Sequence, residues 1–151
     1  MKHFRFSLLI LCCFFVATAL AKTKIEPKQN LSGHYEFHRN GLDMGSVDLL
    51  KTTDDKYEIY GMAYWYGTNW KDGNVNMGSM CGIAKQDGDS LVYTNKDGVC
   101  QLNIKPDLHK NALMITDNGQ CGGHNVSFSG LYLKTSATQA ELEAQKTMAC
   151  D

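Results

Sequence analysis

The sequence predicts a mainly β protein, an antiparallel eight-stranded meander that closes or nearly closes into a small barrel, with a short C-terminal helix. Three observations carry this. Turn signals recur every ten or so residues: Asn40-Gly41, Thr53-Asp54-Asp55, Gly67 to Gly73, Asp87-Gly88, Asp97-Gly98, Pro106 to Asn111 and Asn118-Gly119. Between them apolar residues alternate with polar ones at period two, the mark of strands half buried on a core. The composition, 43% hydrophobic and 21% charged with 2 prolines in 151 residues, is that of one globular domain and excludes a disordered, collagen-like or repeat protein.

Residues 1–21 read as a cleaved secretory signal. Lys2 and Arg5 precede an apolar run from Phe6 to Val16, and Ala19-Leu20-Ala21 supplies the small residues of a cleavage site. The run is shorter than the roughly 20 apolar residues of a membrane span, so no span is expected after cleavage and the location is periplasmic or secreted. Leu11, where a lipobox wants a small residue, argues against a lipid anchor on Cys12 or Cys13. Residues 22–31 are polar and read as a flexible lead-in to a single domain over 32–151.

The strands are expected at 33–39, 44–52, 57–66, 74–85, 90–95, 99–105, 112–117 and 124–134. Tyr35 and Phe37 alternate in the first strand, Cys100, Leu102 and Ile104 in the sixth, and Val126, Phe128 and Tyr132 in the eighth. Both faces of the third strand carry large side chains, Tyr57, Ile59 and Trp65 on one and Tyr60, Met62, Tyr64 and Tyr66 on the other. Such a meander must close or leave two adhesive edges. Ser32-Gly33-His34-Tyr35 and Ser129-Gly130-Leu131-Tyr132 repeat one tetrapeptide at its two ends, and glycine inside a strand lets a sheet coil sharply. After the eighth strand, Thr138 and Glu141 have capping-box spacing, and Ala140, Ala144 and Met148 follow at helical spacing, giving a helix over 138–149, long enough to run back along the last strand.

Four cysteines follow the leader: Cys81, Cys100, Cys121 and Cys150. In an exported chain an even number implies two disulfides. Counting from the turns sets Cys81 and Cys100 opposite Tyr93, and Cys100 and Cys121 opposite Asp117, so neighbouring cysteines stand about 9–10 Å apart, two strand spacings, unless the sheet bends at Gly82, Gly122 or Gly123. Cys81–Cys100 with Cys121–Cys150 is the preferred pairing; Cys100–Cys121 with Cys81–Cys150 is the alternative.

Function classes can be weighed in the same way. After residue 21 the chain holds 13 basic and 16 acidic residues, and Arg39 is the one arginine among them, which disfavours a nucleic-acid binder. No phosphate loop, nucleophile elbow or dinucleotide fingerprint is present, and no pair of carboxylates stands out for glycosidic chemistry. His34, Glu36 and His38 share one strand face, and Cys121-Gly122-Gly123-His124 has ligand-like spacing, yet solvated polar residues and half a disulfide are the simpler readings. The expectation is a non-enzyme without cofactor or metal. Trp70 is the outstanding residue, because it lies in a turn of Asn69, Lys71, Asp72 and Gly73 where no alternation directs it inward. Tyr66, Asn69, Trp70 and Lys71 are therefore the candidate contact surface for a protein partner.

The opening Gly-x-aromatic strand is similar to the start of lipocalin-like barrels. In size, export, cysteine content and sheet, the chain resembles bacterial periplasmic lysozyme inhibitors and immunity-type small β proteins. That resemblance implies an inhibitor or immunity-like protein against a cell-wall hydrolase. Some of those inhibitors insert a loop with a Ser-Gly-x-x-Tyr motif; here the spacing is Ser-Gly-x-Tyr and lies in strands, so no residue role is carried over. The alternative is a barrel carrying a small ligand in its mouth. Phe37, Leu49, Ile59, Trp65, Ile83, Leu102, Ile115 and Phe128 are expected to fill the interior and leave no room for one.

Overall fold

Asn40-Gly41 shows how directly this chain writes its turns: both residues take positive φ, 53° and 77°, the twist that a two-residue hairpin needs. The computed structural model describes residues 29–135. The expected leader over 1–21, most of the lead-in and the expected helix over 138–149 lie outside the described residues. Inside them are β1 (Gly33–Arg39), β2 (Leu42–Thr53), β3 (Lys56–Tyr66), β4 (Val75–Asp87), β5 (Ser90–Thr94), β6 (Gln101–Asp107), β7 (Ala112–Asp117) and β8 (Gly130–Thr135), with one 3-10 turn at Trp70–Asp72. Each strand pairs antiparallel with the next, and β8 returns to β1 through His34–Thr135, Tyr35–Lys134 and Glu36–Leu133. The expected closed meander is present. No described helix is long and apolar enough to cross a membrane.

The repeated Ser-Gly-x-Tyr flanks the seam where the barrel closes. Tyr35 and Tyr132 both point inward, 2% and 0% exposed. Gly130 lies against Phe37 so closely that a Cβ there would stand 2.6 Å from the ring. The interior is packed by Val47, Leu49, Ile59, Leu102, Ile104, Leu113, Ile115, Phe128 and Tyr132, with Phe37 and Trp65 partly buried against them. Ile83 is a correction: it pairs with Glu58 on the outward face and is exposed. Leu31 is another. Expected in the lead-in, it is buried, its amide donating to the Tyr57 hydroxyl and its carbonyl accepting from the Tyr35 hydroxyl at 2.8 Å.

The eighth strand starts later than the alternation suggests, at Gly130 instead of 124. Residues 118–129 form a loop broken by positive φ at Gly119, Gly122, Gly123 and Asn125. Val126 and Phe128 are buried, as strand residues would be, but they enter the core as a plug. The Asp117 carboxylate organises that plug, accepting from the Gly119 amide, the Phe128 amide and the Ser127 hydroxyl. The loop lies on β4 where the two backbones nearly touch, for a Cβ on Gly78 would collide with the backbone of Gly122.

The preferred cysteine pairing is overturned. Cys100 and Cys121 are bonded, with 4.8 Å between α-carbons, which excludes both Cys81–Cys100 and Cys121–Cys150. Cys121 does not sit across a strand from Cys100. The turn at Asn118 folds the chain back on the start of β6, where its side chain accepts from the Gln101 amide and donates to the Val99 carbonyl. Cys81 could not have reached Cys100 in any case: it pairs with Tyr60 on the outer face, whereas Cys100 is buried in the core. Tyr93 pairs with Ala84 and Leu102 instead of the two cysteines. Cys81 is a free thiol.

Candidate functional site

The β3–β4 hairpin extends past its neighbours and carries the loop 67–74 at its tip. Local backbone bonds make that loop rigid. Gly67 donates to the Asn74 carbonyl, Trp70 to Gly67, Asp72 to Asn69 and Gly73 to Trp70, at 3.0–3.1 Å. Gly73, at φ 93°, ends the 3-10 turn in a left-handed conformation, where a side chain would be strained.

Of the four expected contact residues, the structure brings Tyr66, Trp70 and Lys71 together. Trp70 is 37% exposed and meets Tyr66 edge-on, their centroids 5.7 Å apart at 83°. The Lys71 ammonium lies 5.7 Å from the Trp70 centroid, within cation–π range. Tyr66 is itself tied down, donating to the Asp43 carbonyl at 2.7 Å. Asn69 does something different: its carbonyl accepts from Asp72 and Asn74 and so shapes the turn.

Sequence reasoning missed two members of this surface. Tyr64 stacks at a tilt on Tyr66, 6.4 Å away, and Met77, the register partner of Tyr64, is 66% exposed. Counting outward from the loop would have found Met77, since Tyr66 faces Val75 and Tyr64 faces Met77. The result is an exposed aromatic and thioether surface with one cation at its end. It offers contact area and a charge, and no group placed as nucleophile or general base.

The second cluster lies on β1 and β2. His34 Nδ1 meets Asp48 Oδ1 at 2.6 Å, His34 Nε2 meets Glu36 at 3.3 Å, and His38 meets the other Glu36 oxygen at 3.2 Å. Asp48, missed in the sequence because it interrupts an apolar run, is 6% exposed. Its hydrogen bond raises the pKa of His34, opposed by burial and aided by the charges of Asp48 and Glu36. Glu36 is lowered, chiefly by its hydrogen bond from His38. Both ring nitrogens of His34 face carboxylates. Among the described residues no group of three or more His, Cys, Asp or Glu is disposed to hold a metal ion.

The cluster makes stability pH-dependent, with a determinate sign. The His34 contribution is fully present below its ordinary value of 6.5 and is lost as pH rises through the higher folded value. The Glu36 contribution is present above its ordinary value of 4.5 and is lost as pH falls through the lower folded value. Melting temperature from these groups should therefore be highest between those limits and decline toward pH 8. In His34→Gln the decline from pH 6 to pH 8 should be shallower; an identical slope in thermal scans would show that His34 is not its source.

No family model matches the chain, nor does any curated protein or any solved structure.

Proposed function

We propose that the protein is an exported, non-enzymatic binding protein, an inhibitor or immunity-like protein directed at a cell-wall hydrolase, with Trp70, Tyr66, Asn69 and Lys71 as its contact surface. The observation that carries this is Trp70, a large exposed aromatic held by Tyr66 and by a hydrogen-bonded turn. Tryptophan and tyrosine dominate interface energetics, and a side chain ordered before binding spares the entropy that association would otherwise consume. The excess of acids over bases after residue 21 suits a basic partner by steering its approach. The disulfide Cys100–Cys121 fits an oxidising compartment.

The alternative, a small-ligand carrier, has one observation on its side. The Tyr132 hydroxyl is buried with no hydrogen-bond partner among the described residues, and burial raises its pKa. Against it stands the interior, where Leu49, Ile59, Leu102, Ile104 and Phe128 occupy the space a ligand would need. Native mass spectrometry of the exported protein separates the readings, because a carrier should retain a ligand that organic extraction removes.

The binding reading is tested with Trp70→Ala against a panel of purified peptidoglycan hydrolases, by calorimetry and inhibition of wall lysis. A side chain that serves contact should be removable at a cost of less than about 1 kcal/mol in stability. Affinity for the inhibited hydrolase should fall by at least about 2 kcal/mol, roughly thirtyfold. Unchanged inhibition by the variant, or inhibition of no hydrolase by the native protein, would defeat the proposal.

A further inference from the structure

The first half of β4 is paired along one side only. Its ladder with β3 runs from Val75 to Lys85, whereas β5 meets it only at Ala84–Asp87. In an antiparallel ladder, alternate residues turn their N–H and C=O to opposite sides of the strand. Bonds at both ends of β4 fix which residues face which side. The Asn74 carbonyl accepts from the Gly67 amide and the Gln86 amide donates to the Asp55 carbonyl, so even-numbered residues face β3. The Cys81 carbonyl accepts instead from the Tyr93 hydroxyl of β5, at 3.0 Å, so odd-numbered residues face away. Tyr93 thereby closes one end of the open side, and the bond from the Val75 amide to the Gly73 carbonyl closes the other. Between them the backbone N–H and C=O of Met77 and Ser79 bond to no described residue.

This stretch is open to solvent on its outer face. Met77 is 66% exposed and Ser79 is exposed, while Gly78 and Met80 are buried. The loop 118–129 reaches β4 at Asn76 and Gly78, the alternate positions whose side chains turn the other way. The free groups of Met77 and Ser79 stand two residues apart, about 7 Å along the strand. An extended chain offers matching donors and acceptors at every second residue, whereas a helix bonds its own groups internally. The stretch also continues the aromatic surface, for Met77 is the register partner of Tyr64, which leads through Tyr66 to Trp70.

We infer that the partner is held by strand addition: an extended segment of the partner protein bonds through its backbone to Met77 and Ser79, beside the Trp70 surface. The inference rests on the reading of the protein as a binder and adds the form in which the partner is gripped. Backbone bonds supply affinity whatever the sequence, and side chains supply the choice of partner. The residue set opposite Met77 is apolar, because it extends the row of Tyr64 and Met77 across the outer face. Residues of the segment that run past Val75 come to the loop 67–74, where Trp70 and Lys71 stand.

The test is amide exchange, read by NMR on the exported, oxidised protein, alone and with heptapeptides selected on it from a random display library. The Met77 and Ser79 amides should exchange freely in the protein alone and slow by at least about tenfold with peptide bound. Ser79→Pro removes an N–H that faces away from β3 and so spares the ladder. It should keep the native melting temperature and bind peptide at least about tenfold more weakly, whereas Ser79→Ala should bind as the native protein does. Protection of the two amides in the protein alone would overturn the inference, because the edge would already be taken. Failure to select any peptide, or peptides that leave both amides unprotected, would overturn it too. Should Ser79→Pro unfold, exchange in the native protein decides alone. The panel of hydrolases keeps the two readings apart. A hydrolase inhibited equally by native protein and folded Ser79→Pro overturns strand addition and leaves the binder, whereas amides protected by peptide with no hydrolase inhibited support strand addition and overturn the hydrolase as partner.

Discussion

Phe128→Ala is expected to destabilise the protein by about 3–5 kcal/mol, the range for truncating a buried aromatic. The ring is fully buried and lies against bare backbone: a Cβ on Gly61 would stand 3.1 Å from it and one on Gly122 3.3 Å. Backbone walls do not collapse into a vacated space as side chains do, so the cavity should persist. Urea unfolding should show a lower midpoint at unchanged slope. Leu133→Ala, at a residue 51% exposed, is the comparison and should stay within roughly 1 kcal/mol. A loss below 1 kcal/mol in Phe128→Ala would mean that the loop 118–129 is laid over the core without belonging to it.

Removing the Cys100–Cys121 bridge in the double variant Cys100→Ala, Cys121→Ala should cost about 3 kcal/mol. The cysteines are 21 residues apart in sequence, and the unfolded chain regains the entropy of a loop that long when the bond is absent. The melting temperature should fall by on the order of 10 °C. Amide exchange should rise first in 118–129, because the bond ties that loop to β6. The Asp117 hydrogen bonds to Gly119, Ser127 and Phe128 remain in the variant. A change smaller than 1 kcal/mol would show that those bonds hold the loop unaided.

The strands were legible because period-two alternation reports burial on one face, as in β6, where Leu102 and Ile104 are buried between exposed Gln101, Asn103 and Lys105. The same signal misled at Val126 and Phe128. Alternation records which side chains are buried and is silent on whether the backbone has a strand partner. Ile83 was placed inside for a related reason, since β4 has apolar residues on both faces and no pattern to separate them. The disulfide was misread because strand counting treats residues 118–124 as extended chain, whereas Asn118 reverses them. At the candidate site Trp70 was legible from its polar turn. Tyr64 and Met77 belong to the surface through hairpin register, and Asp48 reaches His34 across strands, relations that become visible only once strands are aligned.

β4 meets β5 only through Ala84–Asp87, while its pairing with β3 runs from Val75 to Lys85. The stretch before Ala84 therefore has no strand hydrogen-bonded to its second side, although the barrel as a whole is closed. Such a row of backbone groups is a template for a strand from another molecule. The loop 118–129 packs on this stretch, with Gly122 against Gly78 and the Asn76 side-chain amide donating to the His124 carbonyl at 3.1 Å. The bond from Cys100 to Cys121 anchors that loop, and so helps to keep it packed beside the open stretch of β4. Without the bridge, the loop would rest on β4 through its own hydrogen bonds and packing alone.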